Sequence, residues 1–311
     1  MKLSLSTCGI SSYIKEGLST DDALRAIRQS GFRLVDYDMT EQDFAAPIES
    51  GRALKQSFDR FEMEACTAHT VGFNPALPEN RAKWDTLHSV LTFCKEAGIP
   101  SIVVHPGAVD GNSREEFFET NVAFYRSFIP LCEKTGVHVL LENIGNYADP
   151  YFLFNGHDLK EMLAQIDHPL FGLCWDTGHA NHFYAKDCDQ YDSIQAMGAD
   201  LEAIHFQDNA GYFTDPYRHH RIDMHMAPFM SWVGSLNYDA VIKGLVDIGF
   251  KGALNFELTA ASLRTNVEPL VLDGQVYDRL RLLPLPLWIK IYNTIYEIGK
   301  YMLETYHAFE E

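Results

Sequence analysis

Eight short apolar or β-branched runs alternate along this chain with longer stretches of helical spacing: KLSLSTC (2–8), RLVDYDM (33–39), EACTAHT (64–70), SIVVHPG (101–107), HVLLENIG (138–145), FGLCWDTG (171–178), EAIHFQDN (202–209) and ALNFELT (253–259). Such runs, bounded by turn residues, read as buried strands, and strands alternating with helices build a parallel sheet. The intervening stretches carry helix punctuation. STDDALRAIRQSG opens on a Ser/Thr cap with an acidic first turn and ends in Gly. ENRAKWDTLHSVLTFCKEAG and REEFFETNVAFYRSFIPLCEKTG carry Lys and Gly at their ends, and NYDAVIKGLVDIG repeats the theme before the last strand. Eight β–α units of roughly thirty residues predict an α/β fold of the (β/α)8 TIM-barrel type. A doubly wound sheet would need a glycine-rich turn after its first strand, and STCGISSY is neither G-x-G-x-x-G nor a phosphate-binding loop.

The repeat breaks after residue 260, which predicts a barrel over 1–262 and a C-terminal helical extension over 263–311. Trp288, Ile291, Ile295, Ile298 and Met302 fall at helical spacing, so a long amphipathic helix should begin near Leu287 and close the chain. It is expected to cover the sheet as the eighth barrel helix rather than to meet a second subunit, the arrangement that would make the protein a homo-oligomer or a hetero-subunit.

Charge narrows the partners. A formal net charge of −18 over 311 residues sets the mean field against nucleic acid and anionic membranes. The start, MKLSLSTCGISSY, lacks the apolar core of a signal peptide, and no apolar run is long enough to span a bilayer. A cytoplasmic protein is therefore expected. Six cysteines, at 8, 66, 94, 132, 174 and 188, include no C-x-x-C pair and are expected to be free thiols.

The polar residues at the strand ends carry the chemistry. His69, His105, Glu142, Asp176, His205 and Glu257 sit in the C-terminal parts of strands three to eight in succession. In a parallel barrel these positions converge on the rim where active sites of this fold lie. Packing six ionisable groups into one mouth would cost several kcal/mol apiece unless something compensates them, and a divalent cation does so. His179 follows Asp176 closely, and Asp223 with His225 in HHRIDMHMAPF adds candidates from the connection between strands seven and eight.

Five segments, VVHPG (103–107), LLENIG (140–145), CWDTGHAN (174–181), IHFQDN (204–209) and NFELT (255–259), lie in the order found in the xylose isomerase-like barrel superfamily, which the chain resembles over about residues 1–260. That superfamily gathers sugar isomerases and epimerases, inosose dehydratases and abasic-site nucleases of the endonuclease IV type. For the isomerase and epimerase members, the resemblance implies a metal held by Glu142, Asp176, His205 and Glu257. It also makes the two glutamates the proton-transfer pair and His179 a substrate contact. In the nuclease branch three zinc ions use additional ligands, for which His69, His105, His179, Asp223 and His225 are counterparts. The acidic balance departs from that branch, because gripping a duplex needs phosphate-facing Lys and Arg.

Three carboxylates and one imidazole make an oxygen-rich site that suits Mn²⁺, Mg²⁺ or Co²⁺ at least as well as Zn²⁺. The expectation is one divalent ion, Mn²⁺ first among these, and a small carbohydrate whose proton next to a carbonyl leaves through a metal-stabilised enediolate. Returning the proton to the opposite face gives epimerisation and to the neighbouring carbon isomerisation, while departure of a β-leaving group makes the reaction a dehydration on a keto-sugar, inosose or 3-keto-glycoside. His69, His105, His179, Arg218, Asp223 and His225 are the expected substrate contacts, Arg218 belonging to a cluster with His219, His220 and Arg221. Trp175, Phe206 and Tyr212 are candidates for the pocket floor, although aromatics at strand ends more often belong to the core.

Overall fold

A computed structural model describes residues 1–70, 72–144, 152–181, 189–211, 225–230, 232, 234–259, 270–278, 280 and 282–311. Strands β1 (Leu3–Ser6), β2 (Leu34–Asp38), β3 (Glu64–His69), β4 (Ser101–Val104), β5 (His138–Glu142), β6 (Phe171–Asp176), β7 (Leu201–Phe206) and β8 (Leu254–Phe256) close into a parallel barrel in sequence order. The (β/α)8 architecture expected from the repeat is the one observed.

Alternation along most strands separates two packing layers, and one extra residue interrupts it in β3 and in β7. Leu3 and Leu5, Val35 and Tyr37, Val139 and Leu141, Leu173 and Trp175, and Leu254 and Phe256 belong to the large core beneath the helices. The residues between them point into the barrel, where Val103, Leu140, Cys174 and Ala203 form a small apolar cluster of their own. Two register shifts, between Val35 and Asp36 and between Leu173 and Cys174, set which residues share a level at the mouth: Asp36 pairs with Thr67, and Asp176 with His205.

The strands stop earlier than the sequence runs at their C-terminal ends. His105 and Glu257 fall one residue past β4 and β8, and the polar motif residues beyond the strands are held by side-chain hydrogen bonds instead of the ladder. Two expected helices are interrupted. The stretch 79–98 divides into a 3₁₀ turn Pro78–Lys83 and helices Trp84–Leu87 and Ser89–Ala97. The stretch 114–136 divides into Arg114–Arg126 and Ile129–Thr135, with Pro130 in the first turn of the second, where its missing N–H leaves no helical bond unmade.

Among the elements that no quoted stretch marked are a helix and a hairpin. Helix Pro47–Phe61 contains Gly51, a weak helix former whose added Cβ would come within 2.7 Å of the Phe93 carbonyl oxygen; the glycine lets two helices pack closely. Strands β9 (Leu270–Leu272) and β10 (Gln275–Tyr277) form a hairpin over Asp273 and Gly274, both at positive φ. Asp-Gly between apolar runs is a hairpin signal present in the sequence.

The closing helix spans Leu285–Thr305 and buries Trp288, Tyr292, Ile295, Gly299, Met302 and Leu303. It lies against β1 and helix Thr20–Gln29, and the Trp288 indole donates to the Gly9 carbonyl at 3.1 Å. No helix among the described residues is long and apolar enough to cross a membrane.

Candidate metal centre at the barrel mouth

Glu142 ends β5, Asp176 ends β6, His205 lies one residue before the end of β7, and Glu257 follows β8. One ligand atom from each lies within 4.8 Å of the others, and all four residues are buried. His205 stands between the glutamates, its Nδ1 2.7 Å from Glu142 Oε1 and 3.4 Å from Glu257 Oε2. Three carboxylates and an imidazole converging on one point fit a divalent cation. Glu257 Oε2, though buried, has no hydrogen-bond partner among the described residues, as expected of an atom meant for an ion.

Local sequence explains how Asp176 is held. Its backbone N–H donates to Asn143 Oδ1 at 2.8 Å, and Asn143 Nδ2 donates back to its carbonyl at 2.9 Å. Asp176 Oδ1 caps the short helix Thr177–Asn181 by accepting from the His179 backbone N–H at 2.6 Å. Gln207 Nε2 reaches both Asp176 oxygens at 3.2 Å. Thr177 Oγ1 donates to the Gln207 carbonyl, and Asn209 Nδ2 to the Gly178 carbonyl. The segments CWDTGHAN and IHFQDN thus lock together, and the spacing D-x-x-H is that of a helix cap. Gly178 permits the approach: a Cβ there would sit 2.2 Å from Gln207 Cδ.

Electrostatics divides the two glutamates. Burial pushes both upward, but His205 and His105 hold Glu142 well below the usual carboxylate range. Glu257 is pushed up to about 7 by burial, with Asp176 and Glu142 adding to the rise and His205 and His225 opposing it. His205 is raised well above an ordinary histidine despite its burial, through the negative charges around it. Imidazolium charge thus compensates the same carboxylates that a metal would compensate.

Four further histidines, His69, His105, His179 and His225, lie beside this group. His105 Nε2 lies 2.7 Å from Glu142 Oε2, and His69 Nε2 lies 3.4 Å from the same oxygen and 3.1 Å from His105 Nε2. Burial pushes His69 down, but Glu142 more than offsets it, to about 10; for His105 burial prevails and lowers it. His69, Glu142 and His205 make a second grouping with metal-ligand spacing. His179 Nδ1 donates to the Asn143 carbonyl at 2.9 Å, and His225 Nδ1 to the Glu257 carbonyl at 3.1 Å, which orients both rings.

Arg218, His219, His220, Arg221, Asp223 and Tyr212 lie outside the described residues. Trp175 and Phe206 do not floor the pocket. Trp175 is buried under the helices with its indole donating to Gln190 Oε1, and Phe206 packs edge-on against Phe256; strand alternation turns both away from the barrel axis. Residues that sequence reasoning passed over include Asn143 and Gln207, which hold Asp176, and Asp36, which lies beneath His205. All three belong to the apolar runs that became strands or their ends, and the inward parity of Asp36, two residues before Asp38, was the available signal.

A family model described as the xylose isomerase-like TIM barrel matches residues 24–275. A protein of uncharacterised function from Methanocaldococcus jannaschii is 23% identical over 256 residues, covering 80% of this chain and 82% of that protein. Among solved structures, a D-tagatose 3-epimerase-like protein superposes with a TM-score of 0.71 at 20% identity, covering 98% of both chains. The IolI protein with a bound zinc atom superposes with a TM-score of 0.69 at 16% identity over 100% of both.

Proposed function

The chain belongs to the xylose isomerase-like TIM barrel family, and from that footing we propose that it is a divalent-metal-dependent sugar isomerase or epimerase. The observation that carries this reading is the buried quartet Glu142, Asp176, His205 and Glu257, whose ligand atoms lie within 4.8 Å of one another. These four residues would hold the ion, Mn²⁺ being the best match to three carboxylates and one imidazole. When bound, such an ion polarises a carbonyl and offsets the negative charge that develops on its oxygen.

The protein's own groups then move the proton. Glu142 and Glu257 are the proton-transfer pair, and one of them takes the proton from the carbon beside the carbonyl with an oxygen not spent on the ion. The other glutamate of the pair, on the opposite side of the mouth, returns one. The accessible side of the mouth is marked by His105, whose side chain is 22% exposed. His69, His105, His179 and His225 line this mouth as hydrogen-bonding partners for hydroxyl groups, and Arg218 and Asp223 are assigned the same part. A small carbohydrate is the substrate class that these donors and acceptors suit.

The test is a panel of ketoses, inososes and 3-keto-glycosides assayed with Mn²⁺ and after chelation. Exchange of a substrate proton with solvent, abolished by chelator and restored by Mn²⁺, is the expected result. Loss of water from a keto-substrate would move the protein to the dehydratases of the family. Binding of close to three zinc ions per chain together with incision of an abasic-site duplex would overturn the proposal.

A further inference from the structure

Beneath the quartet, on the inward face of β2, lies Asp36, fully buried. Its Oδ1 accepts a hydrogen bond from Thr67 Oγ1 at 2.6 Å, which fixes the plane of the carboxylate. Its Oδ2 has no hydrogen-bond partner among the described residues, and neither has His205 Nε2. These two orphaned atoms face each other at 3.6 Å. A buried acceptor and a buried ring nitrogen left unpaired each keep an uncompensated desolvation cost, and one small movement satisfies both.

We propose that Asp36 is a positioning residue for His205: it accepts the Nε2 proton and so presents the Nδ1 lone pair to the quartet. The proposal rests on the reading of His205 as a metal ligand. At 3.6 Å the contact is longer than a hydrogen bond. However, His205 Nδ1 sits 2.7 Å from Glu142 Oε1, a hydrogen bond that must open when both atoms turn to one ion, and withdrawal of Nδ1 carries Nε2 toward Asp36. A carboxylate behind a ligating imidazole fixes its tautomer and raises its basicity. The Cys174 thiol is the competing neighbour, lying against the same imidazole and kept protonated by burial; a neutral thiol is the weaker partner.

Asp36→Asn preserves shape and the Thr67 contact but turns an amide donor toward Nε2, which favours the wrong tautomer. Affinity for Co²⁺, measured by chelator competition, is expected to fall about tenfold to hundredfold in Asp36→Asn, with cooperative unfolding retained and with no change in Cys174→Ala. In a His205→Ala background, Asp36→Asn should cause no further loss, because its effect runs through that ring. Should Asp36→Asn fail to fold, Thr67→Val, which frees the carboxylate to rotate, is expected to weaken Co²⁺ binding in the same His205-dependent way. In the Zn²⁺-loaded wild type, the ¹⁵N spectrum of the His205 ring should show protonated Nε2. Unchanged Co²⁺ affinity in Asp36→Asn, or an equal loss with and without His205, overturns the role of Asp36 while leaving the metal reading intact. Absence of Co²⁺ binding by the wild type rejects the metal reading and the proposal with it.

Discussion

The barrel interior has two unlike halves. Under β4 to β7 it is filled by Val103, Leu140, Cys174 and Ala203. Under β8, β1, β2 and β3 it holds Asn255, Ser4, Asp36 and Thr67, all buried. The apolar half gives Glu142 and Asp176 a dry floor, which strengthens every charge interaction above it. The polar half gives His205 a carboxylate to face, and it leaves Asn255 with both side-chain polar atoms unpaired among the described residues. The difference teaches that one half of this interior is built to pack, whereas the other gives up packing quality for polar groups placed next to the site.

The largest effect expected is at the rim above the two halves, Glu142 over the apolar one and Glu257 over the polar one. Glu142→Gln and Glu257→Gln each keep volume and remove basicity, so turnover should drop by about 10²–10⁴ while the protein stays folded. Near-normal turnover in either variant would remove that glutamate from the proposed proton-transfer pair. In the apolar half, Leu140→Ala leaves a cavity in a fully buried layer, and denaturant unfolding should record a loss of about 2–5 kcal/mol. A loss well under about 1 kcal/mol would mean that this floor is loosely packed, which would weaken the contrast between the halves.

Gly178→Ala tests the lock between CWDTGHAN and IHFQDN. The new Cβ would push Gln207 off Asp176, and metal affinity by chelator competition should weaken about tenfold; unaltered affinity would show that Asp176 needs no help from Gln207. The smallest expected effect lies in the polar half. Asn255→Leu keeps the branched shape and removes two unpaired polar atoms, so stability should change little or rise by about 1 kcal/mol. A marked fall in melting temperature would show that Asn255 is hydrogen-bonded in solution, and the polar half would then be a satisfied network.

Much of this molecule is legible in its sequence. Eight runs alternating with capped helices imply a parallel sheet, and an alternating chain of that length closes as a barrel. Ionisable residues at successive strand ends imply one crowded mouth, since closure is what brings distant ends together. The repeat implies a helix between strands two and three, but the bounds of helix Pro47–Phe61 went unmarked, its glycine at a close helix contact weakening the local signal. The hairpin at 270–277 escaped because its Asp-Gly turn lies past the repeat.

What the chain determined alone was periodicity: which residues alternate, where elements begin, and which ends are polar. The tertiary structure decided phase and partners. The shifts at Val35/Asp36 and Leu173/Cys174 set Asp36 level with Thr67 and Asp176 level with His205. Trp175 faces the helices while Asp176, its neighbour, faces the mouth. The physical reason is that a period of two states only that neighbours point to opposite sides, and a bulge of one residue exchanges those sides for everything that follows it. Which buried carboxylate stands behind which imidazole is therefore a property of the closed barrel, where strands far apart in sequence meet across a shared interior.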